Sequence, residues 1–275
     1  MTRLHQAGHQ VALVVTQPDR VAGRGLKLLP PGTKRLALEL GLEVFQPERI
    51  REEAAQARIR ELAADVMVVV AYGQILPASL LNAARLGTLN VHASLLPRHR
   101  GAAPVEWSIL RGDTETGVTI MQMDAGVDTG PILAQTRVPL AADTTAGPLE
   151  VQLAELGGQL MIETLDNLDR GAIRPVPQPA EGATLAPRLT SKDGKLDPET
   201  MSAQEIDRRV RALSERVGCW IALKSVELKV IRGHLDGATR EGIAVATRDG
   251  TYVVDEVQPP GGRRMTAGAW ERGRR

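Results

Sequence analysis

The sequence predicts an α/β protein with a doubly wound, mostly parallel sheet, followed by a smaller domain that resembles a β-barrel. Short apolar strands alternate with helical segments over roughly the first two thirds of the chain, which is typical of right-handed βαβ units. The run Asp65–Val70 is almost continuously apolar, as in a parallel strand that is covered on both faces. Several short strand candidates then follow a proline-containing stretch, and they predict the barrel-like domain.

Before residue 90 the elements follow from the spacing of apolar residues and from turn residues. Gly8 is placed to end a short N-terminal helix. The residues after it predict, in order, a strand at His9–Thr16, a loop at Gln17–Arg35, a helix at Lys34–Leu40, a strand at Leu42–Phe45, a helix at Ile50–Ala63, the strand Asp65–Val70 and a helix at Leu76–Ala84.

The stretch Leu89–Asp128 forms the centre of the chain. A strand at Thr88–His92 leads into an unusual loop, and a helix is predicted from Pro104, because proline is well tolerated in a first helical turn. Gly117–Met123 is predicted as the next strand. Another strand is predicted at Ile132–Leu140 and a helix at Thr145–Leu168, whose leucines recur at the spacing of one helix face.

The remaining residues predict a linker and a second domain. Residues 172–187 contain four prolines and are predicted as a stiff linker between a domain at 1–171 and a domain at 188–275. A helix at Ser202–Val217 begins with a capping box formed by Ser202 and Glu205. The strand candidates of the second domain are Trp220–Ile231, Gly242–Thr247 and Tyr252–Val257.

The composition limits the class of protein. No apolar run is long enough for a membrane span, and the first residues lack the apolar core of a signal peptide, so we expect a cytoplasmic protein without a membrane partner. We also expect a monomer. The single Cys219 excludes an internal disulfide and a cysteine-based zinc site. Residues 188–275 carry a net charge of +4 against −3 for the remainder, which is weak evidence for a polyanionic partner.

Asn90, His92 and Asp128 form a candidate catalytic group. Asn90 and His92 are two residues apart on one strand and therefore point to the same face, and the loop after the next strand would bring Asp128 within reach of His92. No activated nucleophile accompanies them, so the group suits direct acyl transfer to a bound amine, with donors that hold the developing oxyanion. A carboxylate beside the imidazole would fix its tautomer and favour its charged form.

A purely structural interpretation of the same residues is open, and spacing alone favours it. In that interpretation Asn90 and Asp128 belong to turns, and His92 is a hydrogen-bonded histidine at a strand end. We expect His99 to be a solvated loop residue and Asp124 a turn former. Metal binding by His92, His99 and Asp128 has no ligand-spacing pattern to support it, so no metal is predicted.

The segment from Arg20 to Arg35 contains five basic residues and no acidic residue. Gly23 and Gly25 flank Arg24, so the backbone there can approach a partner closely. The segment therefore fits either a phosphate-contacting arm or an ordinary solvated loop, and composition alone favours the solvated loop.

A long joint pattern of motifs resembles the folate-dependent formyltransferases. It consists of NVHASLLP at 90–97, RGAAP at 100–104, TGVT at 116–119 and DTG at 128–130. The segments QPDRVAGRGLKL from Gln17, VVVAYGQILP ending at Pro77, and IMQMDAGVDTG resemble the members of that family that act on charged initiator tRNA. The match covers most of residues 9–198 and is patchy beyond.

The resemblance implies a Rossmann-like catalytic domain, a C-terminal tRNA-binding barrel of OB type, and two substrates. The formyl donor would be 10-formyltetrahydrofolate, and the acceptor would be the α-amine of methionine on initiator methionyl-tRNA. The implied residues are Asn90, His92 and Asp128 for catalysis, Ser94, Leu95, Leu96, Pro97, Tyr72, Gly73, Ile75 and Leu76 for folate, and Arg20, Arg24 and Lys27 for tRNA. With the resemblance, the phosphate-contacting interpretation of the basic segment becomes the favoured one.

The sequence departs from the family pattern at two places. Family members begin with a central strand and a Gly-Thr-Pro turn, and this sequence shows neither. We therefore expect an opened sheet that lacks one wall of the folate cleft. The segment Leu213–Trp220 lacks the usual Asn-Pro-rich turn. Two alternative functions therefore stay open, a formyltransferase that acts on a small amine or nucleotide sugar, and a tRNA- or folate-binding protein without turnover.

Overall fold

The computed structural model describes residues 1–22, 27–235 and 241–274. It divides into two compact units, one formed by residues 1–97, 117–136 and 154–183, the other by residues 98–116, 137–153 and 184–274. The α/β class is confirmed, with a Rossmann-like sheet region in the N-terminal part and a curled antiparallel half-barrel in the C-terminal part. No helix within the described ranges is both long and apolar enough to cross a membrane.

The first part of the chain alternates strands and helices. Its elements are α1 Thr2–Gln6, β1 Val14–Val15, β2 Arg20–Ala22, β3 Lys27–Leu29, α2 Gly32–Glu39, β4 Val44–Phe45, α3 Glu53–Glu61, β5 Met67–Val69, α4 Ala78–Leu81 and β6 Thr88–His92. The strand at Thr88–His92 matches its predicted bounds. The other three strands predicted in this part of the chain are shorter in the structure, because their apolar runs extend beyond the residues that pair.

Apart from the β2–β3 hairpin, the strands of this part form two sheets, and in the described residues no backbone hydrogen bonds join the two. One sheet pairs β1 with β4 in parallel. The other has the order β5-β6-β7-β8, in which β7 is Glu115–Gln122 and β8 is Ile132–Pro139. Its strands β5 and β6 are parallel, and β6 and β7 are antiparallel. Side-chain packing connects the two sheets, because Val15 of β1 and Val69 of β5 both pack against the apolar cluster around Leu80.

Two expectations for this part are wrong. The predicted loop at Gln17–Arg35 contains the antiparallel hairpin β2–β3 and the start of α2 at Gly32. The strand at Asp65–Val70 is not fully covered on both faces, because Met67, Val68 and Val69 of β5 are all only half-buried. Hydropathy reports apolar content but not whether a neighbouring element is present to cover it.

The central and C-terminal elements complete the fold. They are α5 Pro104–Leu110, β7 Glu115–Gln122, β8 Ile132–Pro139, α6 Ala146–Asp169, a 3₁₀ turn Ser191–Gly194, α7 Ala203–Leu213, β9 Cys219–Leu223, β10 Val226–Leu235, β11 Ile243–Ala246, β12 Thr251–Gln258, β13 Met265–Thr266 and α8 Ala267–Arg272. Pro104 opens α5 as predicted. The capping box of α7 is also confirmed, since the Ser202 hydroxyl accepts from the Glu205 amide at 3.1 Å.

The half-barrel is an antiparallel sheet in the order β11-β12-β10-β9, with β13 beside β12. The single strand predicted at Trp220–Ile231 is wrong, because β9 and β10 form a hairpin there. Its turn residues Lys224 and Ser225 have φ angles of 48° and 61°. Glycine or asparagine usually occupies such positions, so these two residue types gave no sequence indication of a tight turn.

Candidate active site

Strand β6 positions the two central polar side chains of the site. It pairs with β5 on one side and β7 on the other, with His92 opposite Thr119 of β7. Asn90 is 8% exposed and His92 is 5% exposed. An interior strand with neighbours on both sides leaves little freedom to its side chains, so both polar groups are held rigidly on one face.

The loop after β7 brings Asp128 to His92. The Nδ1 atom of His92 lies 3.6 Å from Oδ2 of Asp128, which is an ion-pair separation slightly longer than a hydrogen bond. The predicted approach of these two residues is confirmed. A carboxylate at Nδ1 favours the tautomer that carries its proton on that nitrogen and leaves Nε2 as the acceptor.

Asp128 adopts a conformation that few residues other than glycine adopt. Its φ is 52°, in the left-handed region. The side-chain amide of Gln178 donates to the carbonyl oxygens of Asp128 and Gly130, at 2.8 and 2.7 Å. A Cβ atom on Gly130 would lie 1.8 Å from the carbonyl oxygen of Gln122. The loop is therefore held by backbone contacts that require glycine at 130 and the amide at 178.

The prediction that Asp124 forms a turn is confirmed. Its Oδ1 atom accepts hydrogen bonds from the Gly126 amide at 3.0 Å and the Thr129 hydroxyl at 2.8 Å. A Cβ atom on Gly126 would lie 2.0 Å from that hydroxyl oxygen. These contacts explain three further residues of the motif around Asp128 as structural.

A network of side chains holds the segment Ser94–Pro97 that follows β6. The Thr119 hydroxyl donates to the Ser94 carbonyl at 2.6 Å and accepts from the Leu96 amide at 3.1 Å. The side-chain amide of Gln135 donates to that hydroxyl and to the Leu96 carbonyl, both at 2.9 Å. The Leu96–Pro97 peptide is cis. The segment is thus tied to β7 and β8 through its backbone.

Burial divides this predicted folate segment into two faces. The side chains of Ser94 and Leu96 are buried, and Leu95 and Pro97 are half-buried. A ligand on this segment would therefore meet the backbone and the side chains of Leu95 and Pro97.

The second predicted folate segment, Tyr72–Leu76, is divided in the same way. Leu76 is buried in the apolar cluster of the first unit, and half-buried Tyr72 packs against that cluster, while Ile75 is 79% exposed. Gly73 has a φ of 80°. Burial raises the pKa of Tyr72, and its buried hydroxyl has no hydrogen-bond partner in the described part of the chain.

Two of the three predicted tRNA contacts, Arg20 and Lys27, belong to the β2–β3 hairpin. Arg20 is exposed on β2, and Lys27 belongs to β3. Arg24 lies outside the described residues, as do Gly23 and Gly25, for which the sequence predicts a close approach to a partner. At the base of the hairpin, Lys34 pairs with Asp19 at 2.8 Å, so part of the basic charge there is neutralised.

The expectation that His99 is solvated is wrong. It is 2% exposed, with a φ of 58°, and its Nε2 lies 2.5 Å from Oδ2 of Asp113. Burial lowers the pKa of His99, and this effect exceeds the opposite effect of the Asp113 carboxylate. Among the described residues no group of three or more His, Cys, Asp or Glu side chains is arranged to hold a metal ion.

Comparison with known proteins identifies the family. Residues 1–165 match the family model for formyl transferase, and residues 188–275 match that for the formyl transferase C-terminal domain. A methionyl-tRNA formyltransferase from Halorhodospira halophila is 46% identical, over 99% of this chain and 91% of the relative. One from Aromatoleum aromaticum is 45% identical, over 97% and 87%. The chain belongs to the formyl transferase family.

Solved structures show the same fold at low sequence identity. An N-formyltransferase from Helicobacter canadensis, in complex with folinic acid and dTDP-3-aminofucose, has a TM-score of 0.67 at 17% identity, over 96% of this chain and 94% of that one. HypX from Aquifex aeolicus, in complex with tetrahydrofolic acid, has a TM-score of 0.65 at 18% identity, over 94% of this chain and 46% of that one.

Sequence reasoning about this formyl transferase missed the residues that support its site. Gln135 and Gln178 have no motif spacing, and both act only through contacts far away in sequence. Thr119 stands inside a recognised motif, but its role in holding Ser94–Pro97 follows from the pairing of β6 with β7. The position of Thr119, a polar residue among the apolar residues of β7, was the one available indication of this role.

Proposed function

We propose that this formyl transferase moves a formyl group from 10-formyltetrahydrofolate to the α-amino group of methionyl initiator tRNA. The observation that carries the proposal is the juxtaposition of Asn90 and His92 on β6 with Asp128 in the loop after the neighbouring strand β7, where Nδ1 of His92 lies 3.6 Å from Oδ2 of Asp128. The similar relatives are named methionyl-tRNA formyltransferase, which supports methionyl-tRNA as the acceptor. Membership of the formyl transferase family supports a formylated folate as the donor.

Asn90 would stabilise the oxyanion of the reaction. No residue in the described part of the chain hydrogen-bonds to its side chain, although that side chain is nearly buried. A buried amide group without a protein partner is costly unless a ligand satisfies it. Asn90 therefore has an N–H donor available for the formyl oxygen, which becomes negative as the amine adds to the carbonyl carbon.

His92 would move the proton, and Asp128 would orient it. The new bond joins the amine nitrogen to the formyl carbon, and the bond from that carbon to N10 of the folate breaks. The amine loses one proton in this exchange, and N10 gains one. His92 can accept the first at Nε2 and deliver the second, while Asp128 stabilises the imidazolium between the two transfers.

The folate would lie along Ser94–Pro97 and Tyr72–Ile75. Leu95, Pro97 and Ile75 offer apolar surface, and the backbone of the first segment offers polar groups. Thr119 and Gln135 would act as positioning residues, because they hold the backbone of that segment without facing the ligand themselves.

The tRNA would be bound by the basic hairpin and by the C-terminal domain, residues 188–275, with Arg20, Arg24 and Lys27 as phosphate contacts. We propose residues 1–171 as the catalytic domain and 172–187 as the linker. We also propose that the protein acts as a monomer, and that it acts in the cytoplasm.

The direct test is formyl transfer to charged initiator tRNA, followed by mass spectrometry of the released amino acid. Asn90→Ala should lower kcat by about 100- to 1000-fold, the usual result of removing one oxyanion donor. His92→Ala should lower it by about 100- to 10,000-fold, the range of acid–base catalysis. Folate binding should change far less in both variants.

The exposed histidine His5 provides a matched control, and His5→Ala should retain the rate of the unsubstituted chain. A normal rate in Asn90→Ala or His92→Ala would contradict the catalytic assignment. Transfer to a dTDP-amino sugar but not to charged tRNA would support the small-amine alternative. Folate and tRNA binding without transfer to either acceptor would support the non-catalytic alternative.

A further inference from the structure

Part of the segment predicted as a linker packs beside the candidate active site. Residues 172–183 lie in the same compact unit as that site. Val176 forms an antiparallel bridge with Ile132 at the start of β8, and two backbone hydrogen bonds of 2.8 Å join the two residues. The backbone of the segment is therefore fixed two residues before Gln178.

Gln178 reaches from this segment to the loop that carries Asp128. Its side-chain amide donates to the carbonyl oxygens of Asp128 at 2.8 Å and of Gly130 at 2.7 Å. A primary amide has two N–H donors, so the two bonds use its full donor capacity. The side chain is half-buried, and partial exclusion of water strengthens such bonds. The position of the loop therefore depends on one side chain of the predicted linker.

The loop needs such an anchor because its backbone conformation is unfavourable. Asp128 has a φ of 52°, and residues other than glycine keep such conformations only where the surrounding structure determines them. Gly130 supplies one constraint, since a Cβ atom there would lie 1.8 Å from the carbonyl oxygen of Gln122. Gln178 bonds to Asp128 itself. Loss of its amide would therefore let Asp128 relax towards a commoner conformation and carry the carboxylate with it.

The Asp128 carboxylate supplies the negative charge beside His92. The strand residues that pair with β6, Met67–Val69 and Thr119–Gln122, contain no ionisable side chain. The other carboxylate of the loop, on Asp124, accepts hydrogen bonds within its own turn. Nδ1 of His92 lies 3.6 Å from Oδ2 of Asp128, and the attraction between charges falls as they separate. A displacement of Asp128 would therefore change how readily His92 accepts a proton.

We propose that Gln178 is a positioning residue for formyl transfer, which holds the Asp128 carboxylate in place for His92. This inference rests on the proposed function for the roles of His92 and Asp128. Gln178 acts through Asp128 and not on the substrates. One end of the segment that leads to residues 188–275 therefore belongs to the active site.

Gln178→Met tests the proposal, because methionine has nearly the length of glutamine but no N–H donor. The kcat of formyl transfer should fall by about 10- to 100-fold, as expected when a catalytic group is misplaced by up to about 1 Å. The KM for folate should change little, because the predicted folate segments lie elsewhere. In an NMR titration, His92 should lose its proton at a lower pH than in the unsubstituted chain, since the stabilising carboxylate has moved away.

A double variant distinguishes positioning through Asp128 from a general structural role. In the Asp128→Asn background the carboxylate is already absent. Gln178→Met should therefore cause little further loss of kcat there and no further change in the titration of His92. Equal losses of kcat in the two backgrounds would overturn the proposal, as would an unchanged titration of His92 in Gln178→Met.

Gln159→Met is the matched control, because Gln159 is exposed on α6 in the same compact unit and its amide donates to Glu163 at 3.3 Å. It should retain the kcat and the His92 titration of the unsubstituted chain. Melting temperatures show whether each variant folds. If Gln178→Met does not fold, Gln178→Asn replaces it, since asparagine keeps the amide but is one methylene too short to reach both carbonyls. Normal kcat and a normal titration in Gln178→Asn would overturn the proposal.

The titration separates this inference from the proposed function, because it needs neither folate nor an acceptor. A His92 titration that shifts in Gln178→Met supports the positioning role even where the unsubstituted chain does not formylate charged tRNA. In that case the transfer assay alone identifies the failure of the proposed acceptor. Normal transfer to charged tRNA with an unshifted titration would overturn the role of Gln178 and leave the proposed function intact.

Discussion

At the scale of single residues, the site depends on a few side chains whose environment the structure makes specific. Asp128 lies in the left-handed region with its carboxylate 3.6 Å from His92. Strained residues of this kind persist where the surrounding structure determines them, and Gln178 and Gly130 supply that constraint.

Asp128→Asn should lower kcat while leaving the fold intact, because the amide retains the shape but not the charge of the carboxylate. The imidazole of His92 should then be less readily protonated, since the stabilising negative charge is gone. An NMR titration of His92 in both chains measures this, with the melting temperature as the control for folding. An unchanged titration would contradict direct coupling between the two residues.

Cys219 provides a second prediction at this scale. Burial raises the pKa of its thiol to about 12, and its sulfur donates a hydrogen bond to the Arg209 carbonyl at 3.3 Å. At pH 8 the folded chain should hold on the order of one thiolate in ten thousand molecules, so Ellman's reagent should react only after unfolding.

The same shift sets the pH dependence of stability. An unfolded cysteine ionises at about pH 8.5. The buried thiol therefore makes its full contribution to the free energy of unfolding below that pH, and the contribution declines as the pH rises further. Rapid reaction of the folded chain at pH 8, in the absence of denaturant, would show that Cys219 is accessible.

At the scale of elements, strand β7 shows how one residue type has opposite effects at two positions. Thr119 and Thr116 are both buried on this strand. The Thr119 hydroxyl makes three hydrogen bonds, to Ser94, Leu96 and Gln135. The Thr116 hydroxyl has no partner among the described residues. A buried hydroxyl contributes to stability only where its hydrogen bonds are made.

Thr119→Val should destabilise the protein by about 1–3 kcal/mol, because it removes the three buried hydrogen bonds of the Thr119 hydroxyl. It should also raise the KM for folate more than it lowers kcat, since it loosens the segment on which the folate is proposed to lie. Denaturant titration and steady-state kinetics measure the two effects.

Thr116→Val is the matched control on the same strand, and it should leave stability equal or raise it slightly, since it removes a buried hydroxyl without a partner. Equal losses in the two variants would mean that the hydrogen bonds of Thr119 are not what distinguishes it. A loss of kcat at unchanged KM in Thr119→Val would contradict a positioning role for folate.

At the scale of the whole molecule, the distribution of charge is the property most relevant to an RNA substrate. The total charge is only +1, but residues 188–275 carry a net +4, and the segment from Arg20 to Arg35 contains no acidic residue. Phosphate contacts add both affinity and salt dependence, so local clusters of basic residues matter more than the total.

Arg24→Ala should weaken the use of charged tRNA and flatten its salt dependence, by a slope of roughly 0.7–0.9 for each lost phosphate contact. Folate binding should not change. The measurement is the rate against tRNA concentration at two or more salt concentrations, with folate binding determined in parallel.

Arg137→Ala serves as the control for Arg24, because Arg137 is exposed and paired with Glu115. It should leave the salt slope as it is in the unsubstituted chain. If Arg24→Ala also leaves the slope unchanged, the segment is an ordinary solvated surface, which was the interpretation that composition alone favoured.

The sequence by itself determined the α/β class, the bounds of β6, the start of α5 at Pro104 and the capping box of α7. Each of these depends on neighbours within a few residues, through apolar spacing, proline geometry or a local hydrogen bond. It also placed Asn90 and His92 on one face, because the alternation of side chains along a strand is a local property.

Only the tertiary structure decided which side chains support the site. The support of Ser94–Pro97 by Gln135, the hydrogen bonds from Gln178 to the Asp128 loop and the burial of His99 join residues that lie apart in the chain or depend on what covers them. The sequence also did not predict the β9–β10 turn. Its residues Lys224 and Ser225 are not typical of left-handed positions, and they adopt this conformation because the two strands pair. Local patterns carry no information about contacts of this kind, because their energy comes from packing between distant segments.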